Sequence, residues 1–162
     1  SRTGKPGDAC ISEVSGNEDT IETTSKPWTA ILAAIVSLAG VADAAYLTIH
    51  HYTAEPVPCS IIEGCEQVLN SPYATIGGVP LAIFGLLAYF AAFSLALLTI
   101  FGNRVMWKLF GVQVVIMAGF SAWLIYVQAA LIGAFCQFCL LSALITTTLL
   151  VIFIVSLLKR SK

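Results

Sequence analysis

Two cysteine pairs in this chain have the spacing that disulfide exchange needs. Cys136-Gln137-Phe138-Cys139 is a CxxC pair at the start of an apolar run, and Cys59 and Cys65 stand in a long polar stretch after Pro58. The attacking species in such exchange is a thiolate, and a helix N-terminus, with its unpaired amides and its dipole, favours that charge. Cys136 and Cys139, three positions apart, would share one face of such a helix. A dithiol at a membrane boundary can move electrons between a donor in water and an acceptor in lipid. The loop pair has a different setting. Ile61, Cys65, Val68 and Leu69 recur at helical spacing, which predicts a short amphipathic helix over about residues 60–69 on the membrane face, with Cys65 turned down and Cys59 accessible.

Hydropathy dictates the elements that must position these residues. With 58% hydrophobic and 10% charged residues and a mean hydropathy of +0.89, the chain reads as an integral membrane protein. Eight Lys and Arg against nine Asp and Glu give no basic excess, which argues against nucleic acid as a partner. Four stretches reach the roughly 20 helical residues that a hydrocarbon core of about 30 Å requires: residues 28–49, 79–101, 109–131 and 135–158. No residue from Gly111 to Leu158 is charged, and one straight helix of that length would run about 72 Å at 1.5 Å per residue. The chain must therefore turn back, and Gln128 and Gly133, which interrupt the apolar run just before the CxxC, mark the place. The expected fold class is an all-α bundle of four transmembrane helices with an exoplasmic loop that carries the short amphipathic helix. A first span beginning at Trp28 is too deep and too long for a cleaved signal peptide.

Lys and Arg near span ends prefer the cytoplasmic side. Lys26, Arg104, Lys108, Lys159, Arg160 and Lys162 all fall on one side of a four-span layout, whereas the loop of residues 50–78 carries Glu55, Glu63 and Glu66 and no Lys or Arg. Both termini are therefore expected in the cytoplasm. Cys59, Cys65, Cys136 and Cys139 then face the exoplasmic compartment, where disulfides persist, and a bacterial inner membrane is the expected location. Trp28, Trp107, Tyr46 and Tyr52 near span ends suit an interfacial aromatic belt, although aromatics are also common inside bundles. Residues 1–26 are polar and predicted to be a mobile tail preceding a membrane domain at 27–162, with Cys10 a reduced thiol on the cytoplasmic side.

Blander readings compete with disulfide exchange. Free cysteines in apolar spans are often small buried hydrophobes, and exoplasmic pairs often only staple loops, which would suit a membrane scaffold without turnover. A zinc site is disfavoured, because five residues separate Cys59 from Cys65 where two to four are usual, and no metal is expected.

In order and spacing, several short stretches together resemble the vitamin K epoxide reductase family in its bacterial branch. They are Tyr46-Leu47-Thr48, the loop pair Cys59 and Cys65, Val68-Leu69-Asn70-Ser71, Gly78-Val79-Pro80, and Cys136-x-x-Cys139, and the likeness runs from about Trp28 to Leu158. The resemblance implies a four-helix bundle around a quinone, ubiquinone or menaquinone, reduced by the CxxC, with the loop pair relaying electrons from a thioredoxin-like partner. In many bacterial relatives that partner is fused beyond a further span, so it is expected either as a separate chain or as part of a longer one. By matching position, Cys139 would abut the quinone, Cys136 would exchange with the loop, Cys65 would resolve Cys136, and Cys59 would meet the partner. Ser71 matches a family Ser or Thr placed near the reactive face, and it also suits a turn before Pro72. One position departs: vertebrate enzymes have a Tyr four residues beyond the CxxC where this chain has Ala143, so the likeness carries quinone reduction and not epoxide reduction or warfarin sensitivity. A quinone-coupled thiol oxidase of another family, with its CxxC in the first exoplasmic loop, has the reverse order.

Asp43 lies inside span 1, and an intramembrane carboxyl is a functional candidate by default. It suits either protonation of a reduced quinone or a hydrogen-bonded structural role. Gln113 and Gln128 are expected as interhelical hydrogen-bonding groups, and His50 and His51 as solvated interfacial residues.

Overall fold

The computed structural model describes residues 27–162; the expected tail and Cys10 lie outside the described residues. The chain order is α1 (Pro27–Thr53), α2 (Cys65–Leu69), a 3-10 turn (Pro72–Ala74), a two-stranded hairpin of β1 (Thr75–Ile76) and β2 (Val79–Pro80), α3 (Leu81–Ile100), α4 (Arg104–Tyr126) and α5 (Gln137–Ser161). A π-helical turn, Val127–Ile132, continues α4. α1, α3, α4 with its π extension, and α5 are each long and apolar enough to cross a bilayer. α1 packs on α3 and α5, and α4 packs on the same two, so the helices run around the bundle as α1, α3, α4, α5.

Small residues let the helices close. Ala30, Ala33, Ala34, Ser37 and Ala44 form a buried stripe on α1, and a Cβ added at Gly40 would overlap the ring of Tyr89 on α3. Large apolar side chains point the other way: Leu38 is 53% exposed and Leu144 63%. On α1, small residues inside and large apolar ones outside is the pattern expected where lipid is the solvent and close backbone approach supplies the packing. The protein is an integral membrane four-helix bundle.

Helix ends differ from expectation where local chemistry intervenes. The second span begins at Leu81 rather than at residue 79, because Val79 and Pro80 pair in register with Ile76 and Thr75 across a turn in which Gly77 and Gly78 both have positive φ. The third begins at Arg104 rather than at 109: the Asn103 side chain caps it by accepting from the Val105 N–H at 3.1 Å. Trp107, expected in an interfacial belt, is instead buried and stacked on Phe110 with ring centroids 4.9 Å apart. Of the stripe expected for the loop helix, Cys65 and Val68 are buried while Ile61 is 84% exposed, and the helix shortens to Cys65–Leu69. By helix direction, Arg104, Lys108, Lys159 and Arg160 fall at one end of the bundle and all four described cysteines at the other.

Candidate active site

Loop and bundle meet at a residue without a side chain. A Cβ on Gly64, immediately before α2, would come 2.7 Å from the Phe135 carbonyl oxygen and 3.2 Å from the Phe135 nitrogen. Its φ of −171° is ordinary extended backbone, so the position demands room and not conformational freedom. That approach brings Cys65, 1% exposed, and Cys136, 0% exposed, into one small cluster with Val68 and Ala134. Cys59 and Cys139 pack against the same cluster, partly buried. A second tie runs from the Ile61 N–H to Gln137 Oε1 at 3.2 Å. Cys59 and Cys65 are joined as a disulfide, with Cα atoms 6.3 Å apart, and Cys136 and Cys139 are free thiols.

The CxxC differs from expectation at its first residue. α5 begins at Gln137, and Cys136 is the extended N-cap residue with φ −102° and ψ 122°, so the two sulfurs do not share a helix face. Only Cys139 is on the helix, in its first turn. The Cys139 thiol hydrogen-bonds the Cys136 sulfur and, helped by the N–H groups of Cys139 and Phe138, holds the Cys136 thiol down to about 7, against burial and the charge of Asp43, which push it up. Cys136 is thus the sulfur prepared as a thiolate. From α1, the Tyr46 ring lies 5.2 Å from that of Phe138 and buttresses the pair.

Gln128 does more than bridge helices. In the π-helical turn the Gly133 N–H donates to the Gln128 carbonyl oxygen at 2.9 Å, five residues back, and Gly133 turns the chain with φ 69°. Such turns are rare and recur at functional sites. Here the turn aims the buried Gln128 side chain at the CxxC. Its Oε1 accepts from the Cys136 N–H at 3.1 Å, and its side chain also hydrogen-bonds the Cys139 sulfur. Gln128→Leu would leave the buried Cys136 N–H without an acceptor, at a cost of about 1–3 kcal/mol. A lowered unfolding midpoint in detergent is expected, and an unchanged midpoint would refute this role.

Below the cysteines a cavity of about 380 Å³ opens between α1, α3, α4 and α5. Ser71 and Leu69 line its loop end, Cys139 its wall, and Asp43, Tyr89 and Thr146 its depth. The Ser71 hydroxyl donates to the Val68 carbonyl oxygen at 2.7 Å, closing the turn after α2. Tyr89 reaches across from α3 to α5: its hydroxyl donates to the Ser142 carbonyl oxygen at 2.7 Å and shares a hydrogen bond with Thr146 Oγ1 at 2.8 Å. Asp43 is 8% exposed, and its Oδ2 has no hydrogen-bond partner among the described residues. Sequence reasoning missed Tyr89 because nothing in an apolar run marks which tyrosine turns inward. The volume is within the range of about 300–1,000 Å³ typical of small-molecule sites, and apolar walls with a few convergent polar groups suit an aromatic ring with a carbonyl. Among the described residues no group of three or more His, Cys, Asp or Glu is placed to hold a metal ion.

Comparison with known proteins agrees with this geometry. A family model described as the vitamin K epoxide reductase family matches residues 31–154. The Arabidopsis thaliana protein named thiol-disulfide oxidoreductase LTO1 is 35% identical over 117 residues, which cover 66% of this chain and 31% of that relative, so the chain spans about a third of the relative's length. The matched segment contains all four clustered cysteines, the cavity beneath them and most of each of the four spans, and on that extent the chain belongs to the vitamin K epoxide reductase family.

Proposed function

We propose that this chain is a membrane thiol:quinone oxidoreductase that makes disulfides. Electrons pass from a thioredoxin-like dithiol to Cys59, to Cys65, to the Cys136 and Cys139 pair, and on to a quinone in the cavity. The partner's two thiols become a disulfide and the quinone becomes a quinol, so atoms and electrons balance. One observation carries the reading. A loop disulfide is packed over a free dithiol whose second sulfur lines a bundle cavity. Exchange needs an attacking thiolate within reach of a disulfide: in the forward direction reduced Cys65 attacks the Cys136–Cys139 disulfide at Cys136 and releases Cys139, and the packing of Cys65 against Cys136 puts them in one cluster for that step. Cys139 then faces the acceptor, with Ser71 and Asp43 at the two ends of the pocket.

Ubiquinone and menaquinone both fit the cavity's chemistry, and the partner is a separate protein or another domain of a longer chain. The positive-inside pattern orients the bundle with its basic end in the cytoplasm, both termini on that side, and the cysteines in the exoplasmic space of a bacterial inner membrane. A disulfide-stapled scaffold without turnover accounts for Cys59 and Cys65 but leaves the free pair beneath them without a use.

The test is turnover. Purified protein in detergent, given a reduced thioredoxin-like substrate and short-chain ubiquinone or menaquinone, is expected to consume thiols and quinone one dithiol to one quinone. No turnover with either quinone would favour the scaffold.

A further inference from the structure

We propose that Asp43 is a catalytic proton donor of the quinone site, giving one proton to the bound quinone while Cys139 gives the other. The inference rests on the quinone-reducing reading and adds a residue to its chemistry. Asp43 and Cys139 line the same cavity from α1 and α5. One neighbouring polar set is already engaged: the Tyr89 hydroxyl has the Ser142 carbonyl oxygen, Ser142 Oγ and Thr146 Oγ1 as partners. Among the described residues, Asp43 Oδ2 is buried with no hydrogen-bond partner, and no Lys or Arg lines the cavity. An isolated carboxylate is costly in apolar surroundings. A carboxylic acid needs only one acceptor, which a quinone carbonyl oxygen provides.

The step balances. It starts from Cys136 as thiolate, Cys139 as thiol and Asp43 as acid. The Cys139 S–H and Asp43 O–H bonds break, the Cys136–Cys139 S–S bond forms, and the two sulfurs lose two electrons. Those electrons and the two protons turn the quinone into the quinol, leaving Asp43 as carboxylate. When the loop dithiol next reduces the Cys136–Cys139 disulfide, both sulfurs return as thiols and the loop pair is left as its disulfide. The proton then shed by Cys136 restores Asp43. Asp43 is near enough to act electrostatically on both sulfurs.

Asp43→Asn tests this in the purified protein with short-chain ubiquinone and a reduced thioredoxin-like donor. Asparagine keeps size and hydrogen bonding but has no acidic proton. The expected result is a fall in kcat of about 100-fold or more with KM for quinone changed by less than about threefold. Single-turnover exchange between loop pair and CxxC should be unchanged, and Asp43→Glu should recover part of the rate. Parental kcat in Asp43→Asn overturns the proposal, and so does an equal slowing of loop exchange, the mark of a structural role. Should the variant not fold, the parent answers: dicyclohexylcarbodiimide, which modifies carboxylic acids in apolar settings, should label Asp43 and do so less when short-chain ubiquinone is bound. Absence of labelling, or labelling indifferent to the quinone, overturns it. Failure of the wider reading looks different, because then the parent itself reduces no quinone.

Discussion

Cys139→Ala is expected to lower quinone reduction to less than about a thousandth of the parental rate, since it removes the one thiol among the described residues that lines the cavity and with it the reacting group rather than a contact. The same variant should still join loop and CxxC, by the loop exchange run in reverse. Cys136 remains a buried thiol in one cluster with Cys65, so it can attack the Cys59–Cys65 disulfide and release the Cys59 thiol, and with no Cys139 to carry the exchange on, the Cys65–Cys136 mixed disulfide should accumulate. Loss of its hydrogen-bonding partner will also make Cys136 a weaker acid, because the Cys139 thiol is the largest influence holding it down. Non-reducing peptide mass spectrometry checks both points. A Cys65–Cys136 crosslink, absent when Cys65→Ser is added, is the expected species, and persistent quinone reduction by Cys139→Ala would remove Cys139 from the mechanism.

Gly64→Ala carries the second large effect although it touches no sulfur. Its Cβ would press on the Phe135 carbonyl oxygen at 2.7 Å and on the Phe135 nitrogen at 3.2 Å, and both are backbone atoms of the short segment leading into α5, with little freedom to yield. The loop must lift instead. Overpacking of this kind costs about 1–3 kcal/mol, and a displacement of about 1 Å between reacting groups can slow a reaction about 100-fold. Stopped-flow measurement of electron transfer from a reduced loop pair to the oxidised CxxC should show that slowing, while quinone reduction by a chemically reduced Cys136 and Cys139 pair stays near parental. Parental exchange in the variant would show that the loop has another way to seat Cys65.

The same residues explain how much of this was legible in sequence. The spans are, because an apolar run of about 20 residues has few alternatives in lipid, and the reversal before Cys136 is, because Gln128 and Gly133 break a run that otherwise has no polar residue after Ser121. The two cysteine pairs and their shared end follow from counting spans. Cys136 as an N-cap does not, since helix ends are decided by local hydrogen bonds and not by periodicity. Nor does the length of α2: Ile61 has the right spacing for an apolar face, but its N–H is bound to Gln137 from outside any helix. Asp43 was visible as an anomaly, yet only the packing of α1 against α3 and α5 decides that it faces the cavity of Cys139 and not another helix. Gln128 had the right type for an interhelical hydrogen bond, and its hold on the CxxC depends on a π turn that has no sequence pattern of its own.

That turn makes chain length itself a constrained quantity. Connections between helices ordinarily absorb insertions and deletions without harm, and the stretch between Gln128 and Cys136 resembles such a connection. It cannot behave as one, because Gln128 Oε1 and the Cys136 N–H, eight positions apart, are tied directly. Removing one residue from Val127–Ile132 would restore an ordinary α-helical turn and rotate everything beyond it by about 100° relative to α4, carrying the dithiol away from its amide. Many side chains could occupy positions 129–132, but their number could not change, so this segment is constrained in spacing more than in spelling.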